Sequence, residues 1–530
     1  MVRFAWVLSM GVGFLSLSQE ILWVRLVSFT LKGLSQSFAA VLFCFLIGIA
    51  VGSAVGKRFC ERSGDLLRIS AIVLAAAAVV DISLILLVPA LVHWKIGLAG
   101  VLALVVLTAG IKSVMFPIAH HLGSQQSGSR IGRSVSKVYF GNIVGSTLGP
   151  IVMGYVLLDN LTVDACLLLV GMATGALSLA CALRGRAFPA ALASVVVVVA
   201  AAGLAWYEST GMVRAIALAT DRSIDPTQAP GLTINHIVQN RQGIVHTVHT
   251  TDGMPDATLG GNIYDGRIAV DMAQNANWLD RALVLVATHP NPERVLVIGL
   301  STGAWARILS ASPRVKAMTV VEINPGYLEI IRQYPQVAGV LSDPRIHIEI
   351  DDGRRWMRRH PTEQFDLIVQ NTTYYWRAYS SNLLSRDYMV QLSSHLKPGG
   401  IVALNSTGSS DVLRTAEQVF AHVERRKSFV YGSHGDFARP IASADAALRE
   451  LQLGSTPVFS DAAFQAGGIA HEMLHEPFVA PGQRYLGMSE QPDVITDQNL
   501  LVEHAHGRLR DNFPGIYRRF DGWRRGGTGS

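Results

Sequence analysis

Residues 294–311 read RVLVIGLSTGAWARILSA, a short unbroken apolar run that stops at a glycine and restarts, after a second glycine, with helix-forming residues. An apolar run without alternation is the mark of a strand covered on both faces, and such strands belong to parallel sheets. The chain repeats the unit downstream. AMTVVEI (317–323), IHIEIDD (346–352), FDLIVQN (365–371) and GGIVALNS (399–406) read as strands, and NPGYLEIIRQY (324–334) reads as a helix between the first two. Strands alternating with helices predict a parallel, doubly wound sheet, whose ligands bind beyond the carboxyl ends of its strands. Upstream, INHIVQNRQGIVHTVHT (234–250) alternates like a hairpin, and NIYDGRIAVD (262–271) adds a second strand and turn.

The first two hundred residues follow a different rule. Over all 530 residues half are hydrophobic, 16% are charged and mean hydropathy is +0.32, but the apolar excess is concentrated before about residue 208. A membrane span needs roughly 20 apolar residues. Seven stretches meet that approximately: 4–24, 36–56, 69–92, 96–118, 138–158, 163–183 and 187–207. The first holds Glu20 and Arg25 and lacks a small-residue cleavage site, so it reads as a span and not a signal peptide. Gly48, Gly52 and Gly56, and again Gly141, Gly145 and Gly149, recur every four residues, a spacing that permits close helix contact. Glu20 with Arg25, and Asp81 with Lys112, are expected as pairs of intramembrane charges.

Basic residues cluster in alternate loops: Lys57, Arg58, Arg62 and Arg68; Arg130, Arg133 and Lys137; Arg184 and Arg186. The other loops offer Lys32 and Lys95. The positive-inside rule then puts the N-terminus in the cytoplasm of a multi-pass inner-membrane protein. Seven crossings would deliver the soluble half to the far side, against the cytosolic supply of the ligand argued for below. The net charge of +6 is accounted for by these loops, and no basic and aromatic face of the kind nucleic acid requires is visible. Cys44, Cys60, Cys166 and Cys181 all lie in the apolar half without metal-ligand spacing.

Three strand ends of the soluble half carry chemistry. Gly299, Ser301 and Gly303 form a tight turn at a helix start, where a nucleotide or amino-acid group can approach the backbone. Glu322 closes the next strand about twenty residues on, where a carboxylate takes both hydroxyls of a ribose. Asp351, Asp352 and Gly353 end the third strand, placed to meet an adenine ring or to serve as a turn or cap. The ordered set points to a nucleoside.

On HPNPERVLVIGLSTG, VVEINP, DPRIHIEIDDGRRW, FDLIV, NLLSRDY and LKPGG, in that order, the chain from about 232 to 407 resembles the spermidine synthase (polyamine aminopropyltransferase) family, and more closely its membrane-fused relatives. QEILWVRL, GNIVGSTLGPIVMGYVLL and VITDQNLLVEH, with Asp497 and Glu503, extend the likeness to both ends. The resemblance implies that Gly299, Ser301, Gly303, Glu322, Asp351, Asp352 and Gly353 hold S-adenosylmethionine or its decarboxylated form as substrate, with no metal. The family's catalytic acceptor-side carboxylates fall at Asn371 and Tyr374 here, and NANWLDRAL stands where a Tyr-His-Glu segment is expected. Both departures remove negative charge from where a polycation would sit. Asn371, Tyr374, Tyr375, Trp376 and Arg377 remain able to bind, the rings by stacking or by cradling a sulfonium; Tyr375 and Trp376 equally suit a sheet edge or a membrane surface.

The expected fold class is therefore a multi-pass α-helical membrane domain plus an α/β doubly wound soluble domain, Rossmann-like and of the class I methyltransferase type, with an N-terminal β-hairpin region. Its parts are 1–208 membrane helices, 209–290 linker and hairpin, 291–440 the Rossmann-like domain, and 441–530 an extension ending in the basic, glycine-rich RRFDGWRRGGTGS. The function expected is a membrane-anchored transferase or lyase on an adenosyl sulfonium, with a small-molecule or lipid acceptor other than a polyamine. The bilayer is an expected partner, and assembly with like copies is left open. The alternative is a non-catalytic transporter-like or scaffold protein with a degenerate nucleoside domain. His471, Glu472 and His475 spell the zinc-hydrolase pattern H-E-x-x-H, with Glu490 or Glu503 as the third ligand to propose, but Gly467, Gly468 and Pro477 leave room only for a very short helix. His246 and His249 face opposite sides of a strand and read as surface residues.

Overall fold

The computed structural model of the chain describes residues 1–62, 64–93, 97–124, 131–207, 211–222, 231–371, 374–407, 409–437, 440–476 and 492–504. Lys95, Arg130, Thr372, Thr373, Pro477, Glu490 and the tail from Arg518 lie outside the described residues. The chain divides into two compact units, Met1–Val245 and His246–Ser530. The division falls beyond the hydropathy edge at 208, inside the region expected to be linker and hairpin.

In the first unit the apolar sequence forms α1 (Val2–Thr30), α2 (Gln36–Arg62), α3 (Leu66–His93) and α4 (Gly97–Ser113), which resumes after Val114 as α5 (Met115–Ser124). Then come α6 (Ile131–Val152), which runs through a π-helical turn (Met153–Leu157) to Asn160, α7 (Val163–Arg184) and α8 (Phe188–Tyr207). Among the described residues, six helices are long and apolar enough to cross a membrane. The stretch expected at 187–207 is the 20-residue helix Phe188–Tyr207.

The packing inverts that of a soluble helix. On α2 the large residues Phe38, Phe43, Leu46 and Val51 point outward, while Gly48, Gly52 and Gly56 are buried. A Cβ on Gly52 would stand 2.0 Å from the carbonyl oxygen of Gly110, and one on Gly145 would stand 1.9 Å from that of Met10. Backbones this close leave no room for a side chain, so the glycine spacing is used for helix contact, on α2 against α4 and on α6 against α1. Gly145→Val is expected to force α1 and α6 apart at a cost of about 1–3 kcal/mol or more, read as a lower unfolding midpoint in detergent. An unchanged midpoint would show that the seam is not tight.

Asp81 and Lys112 meet as expected, at 2.7 Å, with side chains 1% and 2% exposed. Gln19 donates to Asp81 at 2.7 Å, accepts from Lys112, and Thr174 donates to Asp81 at 3.3 Å. Arg25 does not pair with Glu20. Its guanidinium donates to the carbonyls of Asn240 and Arg241, in the turn between β1 (Thr233–Asn240) and β2 (Gly243–His249). A cation near a helix end satisfies exposed carbonyls more directly than a carboxylate five residues away on its own helix. Gln239 accepts from the Val163 N–H at 3.0 Å, and Asp159 accepts from the Arg241 N–H at 3.1 Å, so the hairpin turn is held by three separate helices.

The second unit holds an antiparallel pair, β3 (Ala257–Gly260) and β4 (Ile263–Arg267), and the predicted doubly wound sheet. The strands of that sheet are β5 (Arg294–Ile298), β6 (Ala317–Glu322), β7 (Ile346–Ile350), β8 (Phe365–Gln370), β9 (Leu396–Asn405), β10 (His422–Arg426) and β11 (Phe429–Ser433), in the order β10-β11-β9-β8-β5-β6-β7. β5 to β9 are parallel, and β10 and β11 complete the sheet antiparallel. Every residue of β8 is buried, Asp366 and Gln370 along with the apolar Leu367–Val369. The chain builds outward from β5 through β6 to β7, then returns to lay β8 on the other side of β5. That reversal opens a crevice over the carboxyl ends of β5 and β8, the place where such sheets bind ligands. The segment VITDQNLLVEH packs back on this unit: Asp497 accepts two bonds from Arg354, at 2.8 and 2.7 Å, and Glu503 accepts from the Ser381 N–H at 3.1 Å.

Candidate functional site

The turn leaving β5 is shaped by three residues with positive φ: Gly299 at 88°, Ser301 at 51° and Gly303 at 76°. At Gly299 a side chain is excluded twice over, because a Cβ would also lie 2.8 Å from the Asn371 carbonyl oxygen across the crevice. Ser301 holds the same strained conformation without glycine's freedom, and its hydroxyl is fixed by donating to the Asp265 carbonyl at 2.7 Å.

Glu322 ends β6 directly beneath this turn, 3% exposed. Its Oε2 accepts from the Leu300 N–H at 2.7 Å and its Oε1 from the Asn324 N–H at 2.8 Å, with the Ser301 N–H a further donor. Burial outweighs these bonds and pushes its pKa up to about 7. The carboxylate therefore builds the turn first. A carboxylate has about four acceptor positions, so it retains capacity for the hydroxyls of a ribose.

At the third strand end both carboxylates have partners within the chain. Asp351 is buried, paired with Arg355 and Arg359, and accepts from the Asp352 N–H at 2.8 Å. Asp352 is the N-cap of helix Gly353–Arg359, accepting from the Arg355 N–H at 2.8 Å. A Cβ on Gly353 would lie 2.8 Å from Ile298 Cγ2, so glycine there lets the helix close onto β5. Of the alternatives open in the sequence, turn and cap are what these two carboxylates visibly do.

On the acceptor side, the Asn371 N–H donates to the Ile298 carbonyl at 3.2 Å, and its Oδ1 accepts from Asn405 Nδ2 at 3.3 Å. The Tyr374 ring stacks on Trp376, with centroids 5.5 Å apart. Tyr375 and Trp376 are buried, 8% and 5% exposed. His246 is likewise wholly buried and not a surface residue, whereas His249 is exposed and bonded to Asp256 at 2.8 Å; the two do face opposite sides. His471 and His475 stack with centroids 4.0 Å apart on the short helix Ile469–His475, and Glu503 of the proposed zinc set is instead bound to the Ser381 N–H.

Residues absent from the sequence reading complete the crevice. Half-buried Asp265, on β4, accepts a hydrogen bond from the Tyr327 hydroxyl. Burial raises the Asp265 pKa against the pull of Arg377, and burial beside Asp265 raises that of Tyr327 well above its usual value. A Cβ on Gly260 would stand 2.0 Å from the Tyr327 oxygen and 2.2 Å from Asp265 Oδ2, which makes glycine a condition of this pair. The signal was present as an acid inside the otherwise strand-like NIYDGRIAV, but its partner lies 62 residues away.

Residues 282–430 match the family described as Spermine/spermidine synthase domain. A polyamine aminopropyltransferase of Streptococcus uberis is 29% identical over 168 residues, 31% of this chain and 58% of that protein. That of Bacillus mycoides is 36% identical over 121 residues, 23% of this chain and 43% of that protein. The chain thus spans about half the length of the curated relatives it matches. Among solved structures, spermidine synthase from Thermotoga maritima aligns over 48% of this chain and 86% of its own, at 16% identity and a TM-score of 0.37. Human methyltransferase-like protein 13 in complex with SAH aligns over 35% and 95%, at 20% identity and a TM-score of 0.28. The match over residues 282–430 identifies a spermidine synthase-like domain within the second unit.

Proposed function

We propose that the second unit is a transferase or lyase for an S-adenosylmethionine-type sulfonium, carried by a membrane-spanning first unit, and that its acceptor is not a polyamine. The observation that carries the reading is Glu322, buried under the positive-φ turn Gly299–Gly303 at the point where the sheet reverses. In aminopropyl transfer the lone pair of an uncharged amine attacks the carbon beside the sulfonium. The carbon–sulfur bond breaks with its electron pair going to sulfur, a neutral thioether nucleoside leaves, and the new ammonium sheds a proton. Asn371 cannot accept that proton, and a polycation would find an amide and a phenol where it needs carboxylates. An acceptor that arrives with fewer positive charges fits the site better.

Six crossings would return the chain to the side on which it began. With Arg58, Arg62, Arg133, Lys137, Arg184 and Arg186 in the cytoplasm, that side is the one supplied with adenosyl donors. A reporter fused after Ser530 tests the arrangement, and a signal from the far side would remove a reaction that draws on cytosolic donor.

Calorimetry with S-adenosylmethionine, its decarboxylated form and methylthioadenosine tests the site. Burial pushes the Glu322 pKa up to about 7, and hydroxyl donors of a ribose favour its charged form. Binding then releases a proton below that pKa. Affinity should rise with pH, being roughly tenfold weaker at pH 6 than above pH 8, and Glu322→Gln should flatten the profile. Failure of all three ligands to bind, or a wild-type profile in the variant, would exclude the nucleoside site.

A non-catalytic, transporter-like reading has one observation in its favour. A cavity of about 210 Å³ within the first unit is lined by Ser16, Ser53, Lys112, Ser113, Asn142 and Ser146 among apolar residues. It would be preferred if no adenosyl ligand binds.

A further inference from the structure

We infer that the acceptor carries a negative charge, a carboxylate or a phosphate on the same molecule as the attacking amine, and that Arg281 binds it. This rests on the proposed function and names its missing substrate class. The Arg281 guanidinium lies over the Trp278 ring at 4.7 Å from its centroid and beside the Phe429 ring at 5.6 Å. Its Nε is buried with no hydrogen-bond partner, and no described carboxylate lies within ion-pair reach of its guanidinium. The neighbouring Asp280 does not fill that role, because its oxygens are bound by Asn275 at 2.7 Å and Lys427 at 2.9 Å.

Elsewhere in this unit several partly buried arginines have carboxylate partners: Arg294 with Glu363, Arg314 with Glu450, Arg345 with Asp343, Arg354 with Asp497 and Arg426 with Glu476. Arg281 departs from that pattern. Stacking on Trp278 offsets part of the cost of taking a guanidinium out of water, but leaves its hydrogen-bonding fork unused.

The position is built and not incidental. Trp278 holds a φ of 53°, an outlier for a bulky residue, and strain of this kind collects at ligand sites. The segment is fixed to the adenosyl-side turn by Asn277 Nδ2 donating to Thr302 Oγ1 at 3.2 Å and Trp305 Nε1 donating to the Asn277 carbonyl at 3.3 Å. The Tyr431 hydroxyl donates to the Arg281 carbonyl at 2.9 Å and fixes its backbone. Burial lowers the Arg281 pKa, opposed by Asp280 first and then by the phenols of Tyr431, Tyr264 and Tyr374. Asp265 and Asp280 bring negative charge nearby, but neither forms an ion pair with Arg281, and its planar fork is the group there that matches carboxylate or phosphate.

The test uses the full chain in detergent, saturated with methylthioadenosine, and measures binding of three amines by calorimetry: 4-aminobutyrate, O-phosphoethanolamine and 1,4-diaminobutane. Either or both anionic amines should bind at least tenfold more tightly than the diamine, and the preference between them separates carboxylate from phosphate. Arg281→Met should weaken the preferred anion by about 10- to 100-fold while leaving methylthioadenosine affinity and the unfolding midpoint unchanged. Arg281→Lys should recover part of the loss. Equal or tighter binding of the diamine, no binding of any amine, or unchanged anion binding in Arg281→Met overturns the assignment. Absence of methylthioadenosine binding by the wild-type chain overturns the nucleoside reading beneath it as well.

Discussion

Lys112→Met should lower the stability of the helical unit by about 3–5 kcal/mol, because it leaves the Asp81 carboxylate charged, buried and without its cation. Gln19 and Thr174 remain as donors to that carboxylate, at 2.7 and 3.3 Å, but neither carries charge. The double variant Asp81→Leu/Lys112→Met removes both charges and should recover most of the loss, since a buried pair contributes little net stability over apolar replacements. Thermal unfolding in detergent of the wild type, both single variants and the double variant closes the cycle. Equal midpoints for the single and double variants would mean that the two charges are not coupled.

The second large effect belongs to Glu322→Ala. The N–H groups of Leu300, Ser301 and Asn324 would lose their acceptor together, inside a turn that already carries positive φ at Gly299, Ser301 and Gly303. An unpaired buried N–H costs about 1–3 kcal/mol, so the turn should give up its conformation before the sheet unfolds. Methylthioadenosine affinity should fall roughly 100-fold or more, with only a modest change in unfolding midpoint. Glu322→Gln keeps one acceptor and turns an amide donor toward a backbone donor, so it should fall between the two. A Glu322→Ala protein that binds the nucleoside as well as wild type would mean that the ligand lies elsewhere.

The sheet was legible because its signals are local. Apolar runs such as Val295–Ile298 and Leu367–Val369, closed by glycine or a polar residue, state both the strand and its end. The positions of Gly299 and Glu322 follow from the same strands. What sequence could not supply is how side chains are shared across the fold. Asp265 and Tyr327 come together only when β4 is laid beside the helix after β6, and the isolation of Arg281 is visible only once every neighbouring carboxylate has been assigned a partner. Asp351 shows the converse. Its cations stand four and eight residues along, at Arg355 and Arg359, and helical spacing alone would have offered them as partners for it. The burial of Tyr375 and Trp376 and the choice of Arg25 for backbone carbonyls over Glu20 are likewise decided by tertiary contacts.

The hairpin turn at Asn240–Arg241 bears on how this protein could have been assembled by fusion. Arg25 of α1, Asp159 at the end of α6 and the first N–H of α7 are all satisfied by residues 239–241. A helical ancestor ending at the hydropathy edge would have left those groups facing water or lipid, and a modern truncation at residue 208 would do the same. The helical half owns a piece of what sequence assigns to its neighbour, and domain shuffling that respects the physics would cut after that hairpin turn, not before it.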